Sequence, residues 1–291
     1  MSATAAARVR RPGWTPRRVV GRLGRIVVWL ILASIALSTI YPLLFVFSNA
    51  FKTDSDYQAN EIGLPPNPTL ANVQNAWNVA EIGTFAGHSF IVVAASVVLI
   101  TAMSVLAAYA LTHLKIPFRN IGLVGVLALM MLPTSVLMIP MLRTVQQIGL
   151  LNNFLGLILV YCALQLPFSI YLMTAYYRRI PTEVIEAAAV DGASPLRALW
   201  SVVLPLVRPG LLTLATLNFL WLWNELLYGL LLLQGPDKRT LMAGLALLNG
   251  EHTAGIPLIS AGLSIALIPP LLVFMFFQRN LAEGITAGAV K

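Results

Sequence analysis

Six stretches of this chain each run for about twenty residues with almost no charge: 26–47, 90–111, 121–142, 154–177, 211–233 and 258–277. A helix rises about 1.5 Å per residue, so about 20 apolar residues cross the hydrocarbon core of a bilayer. Lipid offers no partner to backbone N–H and C=O groups, and runs of this length satisfy them internally only as helix. The expected fold is therefore an all-α membrane protein with six transmembrane helices. Only 10% of the 291 residues are charged, against roughly 25% in soluble domains.

The net charge of +8 raises the question of nucleic acid. The map of the charges answers it. Of 19 Lys and Arg, 15 fall in the N-terminal tail, the second loop, the fourth loop and the C-terminal tail; only Lys52, Arg143, Lys238 and Arg239 fall on the other side. Cationic loops stay in the cytoplasm. The split expects both termini in the cytoplasm and accounts for the basic balance as topology, with lipid rather than nucleic acid facing the tail. The first apolar run has 22 residues, longer than the ~7–15 of a cleaved signal's core, and reads as a retained anchor. The expected organisation is a basic cytoplasmic tail (1–25), a first span (26–47), an extracytoplasmic loop (48–89), a core of five spans (90–277) enclosing a cytoplasmic loop (178–210), and a cytoplasmic tail (278–291).

Several chemistries lack their parts. Cys162 is the single cysteine, and His88, His113 and His252 share no ligand spacing, so no metal site is expected. The G-x-x-x-x-G-K-[ST] phosphate loop does not occur, and ATP hydrolysis by this chain is not expected. No Ser/His or paired-acid constellation lies within the spans, which argues against an intramembrane enzyme.

Two loops carry patterned segments. In the first, Pro65, Pro66 and Pro68 bar helix, and "TLANVQNAWNVA" then places Leu70, Val73, Trp77 and Ala80 on one helical face, with Thr69 as a cap. The second is "EAAAVDGASPLRALWSVVLPLVRPG", residues 186–210. Pro181 suits a first helical position, and Glu183 and Glu186 follow in early turns where the dipole favours acids. Gly192 offers a left-handed stop, Ser194 caps a second helix with Pro195 at its first position, and Pro205 is placed to kink it. Leu196, Leu199, Trp200, Val203 and Val207 share an apolar face. Helices this short are marginal in water and need a support. Periodicity leaves two open: the protein's own spans, or a groove in another protein.

Here a resemblance enters. Glu186-Ala187-Ala188, three residues, Gly192, nine residues, Val202, one residue, Leu204-Pro205 resembles the EAA signature of bacterial ABC-importer permeases, with Val202 where the pattern has Ile. Asp191 extends the match to the longer E-A-A-x-x-D-G-A form. "FLWLWNELLYGLLLL" (219–233) resembles the W-N-E-F segment of the carbohydrate-uptake branch, with Leu226 for Phe, and "NLAEGITAGAVK" (280–291) resembles its C-terminal ending. The proline-rich external segment is similar to that branch too, while His88-Ser89 stands where many members have Asn-Ser.

The likeness runs from about residue 26 to 291 and is nearest the second, shorter permease of maltose/oligosaccharide-type importers. It implies a type I ABC-importer permease fold with a cytoplasmic coupling helix, in a bacterial plasma membrane. It implies sugar import with a sister permease, two ATPase subunits and an extracytoplasmic solute-binding protein. It assigns ATPase coupling to Glu186, Ala187, Ala188, Asp191, Gly192, Leu204 and Pro205, with ATP and Mg bound by the partner subunits and no cofactor in this chain.

Glu225 is the only acid in an expected span, where a charge costs about 2.5–3.5 kcal/mol or more. One reading puts Asn224 and Glu225 on the solute path with Trp221 and Trp223 as sugar platforms; the other makes Glu225 a packing group that pairs with a backbone or amide donor. Asn49, Gln165 and Asn218 read as interhelical contacts. Pro133, Pro140, Pro269 and Pro270 interrupt helical ladders. Importers of glycerol 3-phosphate, polyamine or peptide remain alternatives. An ion-coupled transporter would want ionisable residues in several spans.

Overall fold

The computed structural model describes residues 16–114, 116–251 and 255–289. The arginines before residue 16, Lys115, His252 and the last two residues of the C-terminal motif lie outside the described residues. Every described element is helical. Four helices are long and apolar enough to span: Gly24–Ala50 within α1 (Pro16–Ala50), α4 (Ile82–His113), α7 (Phe154–Tyr177) and Ile256–Leu281 within α14 (Ile256–Ala289).

The third and fifth expected spans are not continuous helices. α5 (Arg119–Met130) turns by 90° into a 3-10 turn (Thr134–Leu137) and α6 (Met138–Gln147). Pro133 makes the break: it disfavours helix at Leu132 and sits extended at φ −62°, ψ 127°. Pro140 falls in the first turn of α6, where a missing N–H breaks no bond. Pro269 and Pro270 are carried inside α14 as one helix. The fifth span divides into α11 (Arg208–Trp223) and the short α12 (Leu227–Leu232). The 16 residues of α11 reach only about 24 Å, short of the ~30 Å hydrocarbon core by themselves.

α4 and α7 form the central pair, α11 packs on both, and α14 packs on α11. Small and hydroxylic residues line their contacts, as close helix approach in membranes requires. Ser96, Ser104 and Ala108 of α4 and Ser169 of α7 are fully buried. Asn218 of α11 donates to the Ser169 hydroxyl at 3.0 Å, an interhelical bond of the expected kind. Asn49 and Gln165 are likewise buried. By contrast, every residue from 24 to 44 of α1 is exposed, although α1 lies along α14.

Outside the spans, α2 (Asp54–Ala59) and α3 (Ala71–Asn78) flank the proline-rich stretch, which is not helical. Lys52 is fully buried here, and its ammonium donates to the carbonyls of Asn60 at 2.8 Å and Glu61 at 3.1 Å. Asn72 of α3 donates to the carbonyls of Ala50 and Lys52. The expected apolar face of α3 needs correction: Ala76 and Ala80 are buried and Val73 is half-buried, while Leu70 and Trp77 are 60% and 51% exposed. Small residues let α3 approach α14, and Trp77 instead lies over Gly83, where a Cβ would meet its ring at 2.7 Å.

Replacing Lys52 by Met leaves two carbonyls without their charged donor. Thermal unfolding of the detergent-solubilised chain should show a loss of about 1.5–3 kcal/mol. An unchanged midpoint would remove the clamp.

Candidate functional site

The motif-bearing loop folds as two unlike halves. α8 (Thr182–Val190) starts one residue later than expected, with Pro181 as its extended N-cap residue rather than its first helical position. None of its residues is buried; Glu186, Ala187, Asp191 and Gly192 are exposed, Ala188 is half-buried, and Val190 is 86% exposed. Gly192 adopts φ +79° and closes the helix, its N–H donating to Ala189 O at 3.1 Å and that of Ala193 to Ala188 O at 2.9 Å. A Cβ at Gly192 would meet nothing within 4 Å, so glycine is needed there for conformation and not for space.

The second half is anchored. Ser194 caps α9 (Pro195–Ala198), accepting from Arg197 N at 3.4 Å. A π-helical turn (Leu199–Val203) and α10 (Leu204–Leu206) continue it. The wide turn is the local answer to Pro205, which has no N–H and crowds the carbonyl four residues back. Leu204 N–H reaches back five residues to Leu199 O. The expected apolar face changes accordingly. Leu199, Val203, Leu204 and Val207 are buried against Tyr109 of α4, Met173 and Tyr177 of α7, and Leu214 of α11. Leu196 and Trp200 face outward at 57% and 61% exposure.

Beneath the loop, a cleft of about 360 Å³ opens between Tyr176, Arg179, Pro181, Leu206 and Pro209. It marks where the loop leaves α7 and rejoins α11. Gly210 is required here, since a Cβ would come within 2.6 Å of the Tyr176 ring.

The second cluster lies at the break between α11 and α12. Glu225 is half-buried, and both of its carboxylate oxygens accept. Oε1 takes the Tyr228 N–H at 2.8 Å; Oε2 takes the Gly229 N–H at 3.1 Å and the Tyr161 hydroxyl of α7 at 2.8 Å. The carboxylate thus satisfies first-turn N–H groups of α12, which otherwise lack partners. Tyr161 also meets the Trp221 ring edge-on at 6.4 Å. Trp221 is 38% exposed, and Asn224 is exposed while donating to Leu220 O at 2.7 Å.

Trp223 points the other way. It is 3% exposed, stacks on Phe219 at 5.5 Å and donates its indole N–H to Ala266 O of α14 at 3.0 Å. The break therefore leaves Trp221, Asn224 and part of Glu225 exposed, and holds Trp223 inside the bundle.

Sequence reasoning missed Tyr161 and Tyr228. The signal was the spacing of an acid three and four residues before two N–H groups, the pattern of a helix cap, hidden inside an apolar run. Of the two described histidines, His88 packs on Phe154 and His113 packs on Tyr109 and Tyr177.

Residues 100–287 match the family described as the binding-protein-dependent transport system inner membrane component. The chain belongs to that family. It is 34% identical over 254 residues to the diacetylchitobiose uptake system permease protein NgcG of Streptomyces coelicolor, covering 87% of this chain and 84% of that one. It is 34% identical to the sulfoquinovosyl glycerol transport system permease protein SmoH of Agrobacterium fabrum (90% and 92% covered). It is 30% identical to the trehalose transport system permease protein SugB of Mycobacterium tuberculosis (92% and 98%). Its fold matches a chain from the crystal structure of a bacterial ABC transporter involved in import of the acidic polysaccharide alginate, with a TM-score of 0.80, 24% identity, and 92% and 99% covered. This permease is thus a multi-pass inner-membrane component with the ABC-importer permease fold.

Replacing Glu225 by Leu strands the Tyr161 hydroxyl and two N–H groups. A loss of stability of about 1–3 kcal/mol per stranded group is the upper range expected. Thermal unfolding in detergent reads it, and a fall well under 1 kcal/mol would mean that Glu225 does not hold the break.

Proposed function

We propose that this permease carries a sugar or oligosaccharide into the cytoplasm as one subunit of an ATP-driven importer. The observation that carries the reading is the exposure of α8: a helix bearing the EAA signature, with no residue buried in its own chain. Short exposed helices need a partner. Two ATPase subunits, binding ATP and Mg, seat α8 in a surface groove, with Glu186, Ala187, Ala188, Asp191 and Gly192 at the contact. Leu204 and Pro205 transmit its displacement, Leu204 through the buried core and Pro205 through the π turn. The chain itself performs no hydrolysis and holds no cofactor.

Both termini and α8 lie in the cytoplasm in this reading, following the asymmetry of Lys and Arg. A sister permease completes the path, and an extracytoplasmic binding protein delivers solute to the other face. Carbohydrate is favoured by the uptake functions for which the relatives are named and by the exposed Trp221 ring and Asn224 amide at the broken fifth span. Aromatic faces and amides suit hydroxylated solutes.

The test uses the complex assembled with its ATPases in lipid nanodiscs. Gly192→Val and Glu186→Lys should each lower solute-stimulated ATP hydrolysis at least tenfold, or prevent ATPase binding, while the chain still inserts in the membrane. Normal coupling in both variants would sink the docking role of α8. Stimulation by a panel of saccharides, against glycerol 3-phosphate and peptides, reads the solute class.

A further inference from the structure

The cleft between the end of α7 and the start of α11 has no part in the proposed function. Its walls are mostly apolar, and its one charged lining residue is Arg179. No acid lines it. Two further arginines flank it in the chain and are exposed: Arg178, just before Arg179, and Arg208, between the lining residues Val207 and Pro209. The nearest acid in sequence, Glu183, stands in the first turn of α8 and does not reach the cleft.

Tyr176 steadies the arginine. Its ring lies so close to Gly210 that a Cβ there would come within 2.6 Å. The Arg179 guanidinium sits over that ring, 5.6 Å from its centre. Among the described residues it has no carboxylate or carbonyl partner. A guanidinium held by an aromatic face keeps its N–H edge, and that fork matches the oxygens of a phosphate. The place matters as much as the charge. Tyr176 is in the last turn of the span α7, and Pro209 and Gly210 are in the first turn of α11. Between Pro195–Leu206 and Arg208–Trp223 the chain bends by 81°, and the cleft opens at that bend. This is where a span leaves the hydrocarbon for the headgroups. Leu206, in the wall, is 57% exposed. An apolar wall beside a cation at that depth suits a ligand that is part chain and part anion. A soluble anion would use the arginine and leave the wall bare. Basic pockets between helices at the cytoplasmic surface take anionic headgroups.

We propose that this cleft seats the headgroup of an anionic phospholipid, with the phosphate on the Arg179 guanidinium and the upper part of the chains against Leu206 and Pro209. Arg178 and Arg208 add to the local positive potential. Because Leu206 belongs to α10 and Arg179 follows α7, the bound lipid bridges the end of a span and the base of the loop. It ties that base to the bilayer surface. Lipid binding rests on geometry and charge alone. That the cleft faces the cytoplasm, and that the lipid steadies a coupling element, rests on the importer reading.

The test titrates the full complex, stripped of lipid in detergent, with phosphatidylglycerol and reads bound lipid by native mass spectrometry. Phosphatidylglycerol should be retained and phosphatidylcholine released. Arg179→Gln should weaken retention about tenfold, the worth of one charge-assisted hydrogen bond. Leu206→Glu, which sets an acid in the wall and leaves the arginine in place, should do the same. Arg25→Gln, an equal loss of charge at an exposed position of α1, should leave retention unchanged. In nanodiscs, replacing phosphatidylcholine by phosphatidylglycerol should raise solute-stimulated ATP hydrolysis in the parent complex and not in Arg179→Gln. Equal retention of the two lipids, or undiminished retention in both the Arg179→Gln and Leu206→Glu variants, overturns the site. So does inorganic phosphate that displaces the lipid mole for mole, the mark of a site for soluble anions. So does an Arg179→Gln complex that sheds its ATPases and keeps its lipid, the mark of a protein contact. If no saccharide stimulates hydrolysis, the importer reading fails, and lipid retention alone still decides the site.

Discussion

The obligation to pair every backbone polar group away from water governs this structure. Continuous spans meet it without help, because each N–H bonds within its own helix. A broken span does not. Where the fifth span stops at Trp223 and restarts at Leu227, the new helix begins with donors that have no partner. Glu225 supplies the acceptor from inside the gap, and Tyr161 of the neighbouring helix completes its shell. An acid that is costly in lipid thereby becomes the condition for an irregular backbone there. Irregular backbone at membrane depth is tolerated only inside protein or along a cavity.

The loop between α7 and α11 solves a different problem. In the proposed coupling role, it must be gripped at one end and free at the other. α9, the π turn and α10 supply the grip, with Leu199 and Val203 fully buried among the ends of α4, α7 and α11. α8 supplies the free end. The join between them is Asp191-Gly192-Ala193, closed by backbone bonds and one left-handed glycine. Splitting the motif this way accounts for its spacing: the early part is left exposed, and the late Leu-Pro pair seats the base.

How much of this was legible in the sequence depended on whether a feature was local. The fourth span is readable to the residue, because Asn153 caps it and Arg178 ends it. The stops at Gly192 and Ser194 are readable for the same reason, since caps act within one turn. Faces were less readable. Trp77, Leu196 and Trp200 are apolar enough to be placed inward by periodicity, yet the structure turns them out. Small residues won the contact at α3, and the π turn rotated the register before α10. The break at 224–226 has no glycine or proline to announce it. It is written only in a polar pair within an apolar run, and its meaning depends on Tyr161, some sixty residues earlier in the chain.

The first helix stands apart from all of this. Its side chains from 24 to 44 are exposed, and burial starts at 45–50, next to the point where Lys52 and Asn72 tie its C-terminal end down. The family match begins at residue 100, inside α4, and leaves α1 out. A helix that rests along α14 while leaving its side chains exposed is constrained in greasiness and reach more than in the identity of those side chains. It is therefore the part of the molecule an engineer can exchange for another apolar anchor, provided the knot at its C-terminal foot and the contact with α14 are kept.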